Sequence, residues 1–162
     1  LGHRDGDRWF CTQKFSVGDG FQPIGLVRKD HLLDNKFVQI VSHRFLAVVR
    51  RLNSIRPDDW NLEIRLRYYN GGNDGGRLAE HRDLQSYTCV VPLLGSSRSG
   101  LEIWPAPIYD KNNKPFIGES TLLGSTFGSF AIFTGFNWHA IKDHVDERVA
   151  LVLLVDRPGA NV

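Results

Sequence analysis

Methionine is absent from the 162-residue sequence, and cysteine occurs only twice, at Cys11 and Cys89. Two thiols outside any Cys-x-x-Cys pair make no disulfide framework, so a reducing, cytoplasmic setting is the simplest expectation. The lack of methionine in a chain that begins at Leu1 points to a piece of a longer protein. No apolar run approaches the roughly 20 residues needed to cross a bilayer. The opening stretch, Leu1 to Asp7, is too polar and charged for a signal peptide. Membrane association is therefore not expected. Excess charge is lacking as well: 20 basic residues against 18 acidic ones leave a formal net charge of +2. The densest basic group, Arg44, Arg50 and Arg51, falls on a helical pattern and reads as a solvated helix face.

What is present is an ordinary globular composition, 41% hydrophobic and 23% charged, in a chain long enough for one domain with its own core. Residues 1–61 read as an N-terminal segment, punctuated early by Gly18, Gly20, Pro23 and Gly25. Within it, Val38, Val41, Phe45, Val48 and Leu52 recur at steps of three and four, which predicts an amphipathic helix over about 34–53. Asp34 is the expected N-cap, and Asn53-Ser54 with Pro57 the expected end.

From residue 62 the period changes to that of short strands: 62–69, 87–94, 101–104, 129–134 and 148–156, with shorter ones near Thr121 and Ala140. Turn clusters at 70–76, 95–100 and 110–115 separate them. The expectation is a mainly β fold, a sandwich or jelly roll over 62–158, buttressed by the helix.

Of six histidines, His81 is the informative one, because Asp83 follows two residues later. Along an extended chain, residues i and i+2 share a face, so imidazole and carboxylate project together as two cis ligands for one metal. His139, after the apolar strand 129–134, is placed to supply a third; His144, in a polar run, is the rival and reads as a solvated loop residue. Two imidazoles and one carboxylate on one face of an octahedron form the facial triad that holds non-haem iron(II) and leaves the opposite positions open. Iron changes redox state, whereas zinc on the same ligands acts as a Lewis acid or activates water.

Arg148 opens the last strand, whose two faces are both apolar. A guanidinium there is costly to bury unless an anion meets it, and its planar fork suits a carboxylate. Pairing with Asp146 or Glu147 at the surface is the plain alternative. In strand 62–69, Arg65, Arg67 and Tyr69 alternate with Ile64, Leu66 and Tyr68. If Ile64 and Leu66 pack under the helix, Arg67 and Tyr69 look into the barrel; in the opposite register both arginines lie outside.

The order His81-x-Asp83, His139, Arg148 resembles the core of the iron(II)/2-oxoglutarate-dependent oxygenase superfamily, whose fold is a double-stranded β-helix, a cupin-like jelly roll. Residues 64–69, 78–83, Tyr87-Thr88 and 100–103 look like the isopenicillin N synthase-like branch. Residues 128–133, His139-Ala140, 146–151, Asp156 and Pro158 are closer to aspartyl/asparaginyl and prolyl hydroxylases. The resemblance implies iron(II) on His81, Asp83 and His139, with 2-oxoglutarate and dioxygen as cosubstrates. Arg148 would bind the distal carboxylate of 2-oxoglutarate, with Tyr69 and Arg67 as further candidates.

Three departures bear on the cosubstrate. Ala150 stands where the first branch carries Ser, Arg67 stands where it carries Asn, and only three residues separate Gly135 from His139. The reaction implied is hydroxylation of an unactivated C–H bond in a small molecule, acidic ones included, or in an amino-acid side chain; Arg65, Arg67 and Arg82 would suit an acid. Nucleic-acid dealkylation is disfavoured, because Leu154 stands where the repair enzymes carry a second Arg. Residues 104–109 read either as a lid or as an ordinary connection. The rival readings are a non-catalytic jelly-roll binding module and a cupin-like metal enzyme that does not use 2-oxoglutarate.

Overall fold

The structure is a computed structural model; it describes residues 3–5, 8–16, 22–25, 32–53, 60–69, 78–95, 100–109, 111–112, 115–116, 118–124, 127–141 and 147–156. His144, Asp146, Ser54, Pro57, Pro158 and most of the expected turn clusters lie outside these residues.

The elements run β1 (His3–Asp5), β2 (Arg8–Ser16), β3 (Gln22–Gly25), a 3-10 turn (Leu32–Asp34), α1 (Lys36–Leu52), β4 (Asn61–Tyr69), β5 (Leu78–His81) and β6 (Tyr87–Leu94). They continue with β7 (Gly100–Ile103), β8 (Ile108–Tyr109), β9 (Pro115–Phe116), β10 (Thr121–Gly124), β11 (Ala131–Thr134), β12 (His139–Ile141) and β13 (Arg148–Asp156).

From β4 onward the pairing is that of one long hairpin rolled up. β4 pairs β13, β5 pairs β12, β6 pairs β11 and β7 pairs β10, all antiparallel. Successive strands divide between two sheets, in the orders β4-β13-β6-β11 and β10-β7-β12-β5, with the β8–β9 hairpin between β7 and β10 in the chain. This is the double-stranded β-helix. The N-terminal segment adds to the larger sheet: β2 pairs β4 along its whole length, from Arg8↔Tyr69 to Ser16↔Asn61. That nine-residue strand ends before Gly18, and Pro23 and Gly25 fall within β3.

Two apolar cores follow from the alternation of the central strands. One face of the larger sheet presents Leu62, Ile64, Cys89, Val91, Leu151, Leu153 and Val155 to Val38, Phe45, Leu46 and Val49 of α1. The other faces the barrel interior, where Tyr69, Val90 and Ala150 meet Phe133, Leu101 and Ile141. Burying one such aliphatic side chain contributes about 1.5–3 kcal/mol, so α1 is held by packing more than by propensity.

Pro92 sits inside β6 without breaking the sheet. The β13–β6 register shifts at that point, between Val149 and Ala150, and β11 covers β6 only from Tyr87 to Val90. A residue with no N–H is tolerated at a bulge or an edge.

Two details of α1 correct the sequence reading. Its N-cap is Asn35, not Asp34: the Asn35 side chain accepts from the amides of Phe37 (2.9 Å) and Val38 (3.4 Å), while Asp34 closes the preceding 3-10 turn. The buried stripe is Val38, Ser42, Phe45, Leu46 and Val49, and Leu52 is 62% exposed. The stripe is rotated from the expected one and takes the polar Ser42 into the buried face. No helix among the described residues is long and apolar enough to cross a membrane.

Candidate metal centre

β5 and β12 are neighbours in the smaller sheet, with His139 opposite His81 and Ile141 opposite Leu78. Two steps along β12 thus match three along β5. This bulge lets Leu78 and His81, an odd number apart, both turn inward. Leu78 packs on the interior core; His81 enters the ligand group. β5 ends at His81, so Asp83 stands just past the strand rather than within it. The i, i+2 expectation nevertheless holds in effect: Asp83 Oδ1 is 3.9 Å from His81 Nε2, and its Oδ2 is 3.6 Å from His139 Nε2.

One donor atom from each of His81, Asp83 and His139 lies within 4.8 Å of the others. Nitrogen and oxygen donors bound at about 2.1 Å to a first-row metal sit roughly 3 Å apart when cis, so small side-chain movements close the site on an ion. The chemistry of the donors fits. His81 Nδ1 faces the Ala79 carbonyl at 2.8 Å and His139 Nδ1 faces the Asn137 carbonyl at 3.3 Å. Protons held there leave each Nε2 lone pair for a metal. Asp83 Oδ2 accepts from the Thr88 hydroxyl, which fixes the carboxylate plane.

Burial is uneven. His139 is 5% exposed, its ring 4.8 Å from that of Phe133, whereas His81 and Asp83 are half-buried. Desolvation holds the His139 pKa below its ordinary value; Asp83 opposes this, His81 reinforces it, and the bond to Asn137 opposes it. The neutral ring, the form that binds metal, is favoured.

Two loops meet at the centre. The β11–β12 turn rests on the segment after Asp83, with Gly135 N–H donating to the Ser86 carbonyl at 3.2 Å. A Cβ on Gly135 would meet the Gln85 carbonyl oxygen at 2.1 Å and that of Asp83 at 3.0 Å. Only glycine permits this approach. A cleft of about 870 Å³ opens beside the cluster, lined by His81, Asp83, Tyr87, Thr134, Phe136 and Trp138 among others.

Arg148 is not among the residues that line this cleft. It is 1% exposed and lies opposite Tyr69 in the β13–β4 ladder, its Cζ 5.4 Å from the centre of the Tyr69 ring. The surface-arginine alternative does not describe a side chain this buried. Desolvation pushes its pKa down, and the charge and hydrogen bond of Tyr69 oppose the shift. Of the two registers for β4, the structure takes the first: Ile64 joins the helix-side core and Tyr69 the interior. Arg67, two residues away on the same face, is half-buried. Arg65 is ion-paired with Glu63. Arg82 lies over the Trp138 ring at 5.3 Å. Among the described residues, none of 104–109 is among those lining the cleft.

Thr88, Gly135 and Asn137 are residues of the centre to which the sequence reading assigned no role. Thr88 carried a signal, a hydroxyl on the inward alternation of an otherwise apolar strand. The other two did not.

No family model and no curated protein matches the chain. Solved structures do. IDO from Bacillus thuringiensis superposes with a TM-score of 0.68 at 13% identity, over 96% of this chain and 79% of that one. The dioxygenase for auxin oxidation in rice gives 0.68 at 14% identity, over 98% of this chain and 59% of its own. An oxidoreductase of the 2OG-Fe(II) oxygenase family from Burkholderia pseudomallei gives 0.60 at 10%, covering 96% and 71%. At such identities the likeness is one of fold. The molecule is a double-stranded β-helix of the kind found in 2-oxoglutarate-dependent iron(II) oxygenases, with a partly buried His-Asp-His group.

Proposed function

We propose that the chain is the catalytic core of an iron(II), 2-oxoglutarate-dependent oxygenase. The observation that carries this reading is the convergence of His81, Asp83 and His139, with donors within 4.8 Å of one another on that fold. These three residues would hold iron. Bound iron(II) supplies the redox chemistry that couples dioxygen to oxidative decarboxylation of 2-oxoglutarate, giving succinate, carbon dioxide and a hydroxylated substrate carbon.

The chain's own side chains bind and orient. The Ala79 and Asn137 carbonyls keep each histidine in the tautomer that offers Nε2, and Thr88 holds the carboxylate. Arg148 is the group proposed for the distal carboxylate of 2-oxoglutarate, with Tyr69 beside it and Arg67 on the same face. Its fork would fix direction as well as charge. Val90, Phe133 and Ala150 line this interior with apolar side chains. The cleft beside His81 and Asp83 is the proposed substrate entrance.

The substrate belongs in this reading to small, acidic molecules or amino-acid side chains. Arg82 over Trp138 at the cleft supports an acid, as does the oxidation of auxin by the rice relative. A cytoplasmic setting is part of the same proposal and rests on the two unpatterned cysteines. Succinate release from 2-oxoglutarate in the presence of iron(II) tests the reading. It should be abolished in His81→Ala and Asp83→Ala; turnover equal to wild type in either variant would end it.

A further inference from the structure

The two histidines of the centre use the same device, but their supports differ. Each sets its Nδ1 against the carbonyl two residues upstream: Ala79 for His81, Asn137 for His139. Ala79 lies within β5. Asn137 lies in the turn between β11 and β12, where no strand pairing holds the peptide. Its side chain takes over that task. Asn137 Oδ1 accepts from the Thr134 amide at 3.0 Å and from the Thr134 hydroxyl at 2.9 Å. Asn137 Nδ2 donates to the Trp104 carbonyl at 2.9 Å, and the Trp104 amide donates to the Trp138 carbonyl at 2.9 Å. The Asn137 amide closes the turn on the Thr134 carbonyl at 3.0 Å.

We infer that Asn137 is a positioning residue for His139, stapling the turn to the end of β7 so that its carbonyl orients the imidazole toward the metal. The inference rests on the metal-centre reading above. A turn tied at both ends through one amide side chain is a network whose members support one another. Ligand orientation of this kind governs metal affinity, with typical losses of about 10- to 100-fold when an outer partner is removed. No other side chain of the turn makes so many of these bonds among the described residues.

Cobalt(II) binding, followed by its visible absorption and by calorimetry, tests this without requiring turnover. Asn137→Ala is expected to weaken binding by about 10- to 100-fold. Asn137→Asp keeps the acceptor for Thr134 but loses the donor to Trp104; it is expected to weaken binding several-fold and to change the cobalt spectrum. Asn35→Ala, which removes the cap of α1 far from the centre, is the control: a lower melting temperature with cobalt affinity unchanged. The inference is overturned if Asn137→Ala loses stability yet binds within twofold of wild type. Should that variant not fold, Asn137→Asp decides by the same criterion. A wild-type protein that binds no cobalt overturns the metal centre itself, and this inference with it.

Discussion

His81 and His139 face each other across the β5–β12 ladder, their ring centroids 4.1 Å apart and their planes inclined by 52°. They come from strands nearly sixty residues apart in the chain, and a bulge in one of those strands makes the pair converge.

The contact that brings the two ligand loops together has no room for a side chain. Gly135→Ala would force a Cβ to 2.1 Å from the Gln85 carbonyl oxygen. Overpacking costs about 1–3 kcal/mol. The expected outcome is a lower melting temperature together with weaker metal binding, because the backbone that must retreat carries Asp83. Calorimetric titration with cobalt(II) checks it; unchanged affinity would mean that the loops adjust independently.

Arg148 acts in this account on the cosubstrate and not on the metal. Arg148→Met, close in volume and without the guanidinium, should raise the 2-oxoglutarate concentration for half-maximal succinate release by about 10- to 100-fold. That range is the equivalent of about 1.5–3 kcal/mol for a hydrogen bond to a charged group. Metal affinity should stay at the wild-type value. Arg148→Lys should recover only part of the loss, since an ammonium has no fork. Unaltered half-saturation in Arg148→Met would assign the carboxylate to another group.

Cys89 is 1% exposed in the helix-side core, and burial pushes its thiol up to about 12. In a Cys11→Ser background it should not react with a thiol reagent at pH 8 until the protein unfolds. The sign of the pH effect follows from the neutral thiol being favoured in the fold. Its contribution is present below the unfolded pKa of about 8.5 and is lost as pH rises toward the folded value. Between pH 9 and pH 10, wild type should lose up to about 1.4 kcal/mol of stability relative to Cys89→Ala. Denaturation curves at the two pH values measure this; a constant difference would contradict it.

Much of this centre could be read from the chain because its chemistry is local. His81-x-Asp83 needs only two steps of chain to bring an imidazole and a carboxylate together, and the apolar run from Arg148 to Asp156 announces a central strand. The helix was legible by its period, but its exact face was not: burial of Ser42 depends on how α1 sits on the sheet. β2 escaped notice because its evidence lies in its partner, β4, about fifty residues away. Gly135 and Asn137 escaped for the same reason. Gly135 matters where the turn meets Gln85, and Asn137 ties its local bonds with Thr134 to the distant Trp104, contacts that no local pattern encodes.

Anaerobic titration with iron(II) and then 2-oxoglutarate, followed in the visible range, bears most directly on the central claim. A weak charge-transfer band that grows with added 2-oxoglutarate and is missing in His139→Ala is the predicted result. Iron bound without any such band would leave a metal protein of another kind, and failure to bind iron at all would reduce the chain to a metal-free jelly roll.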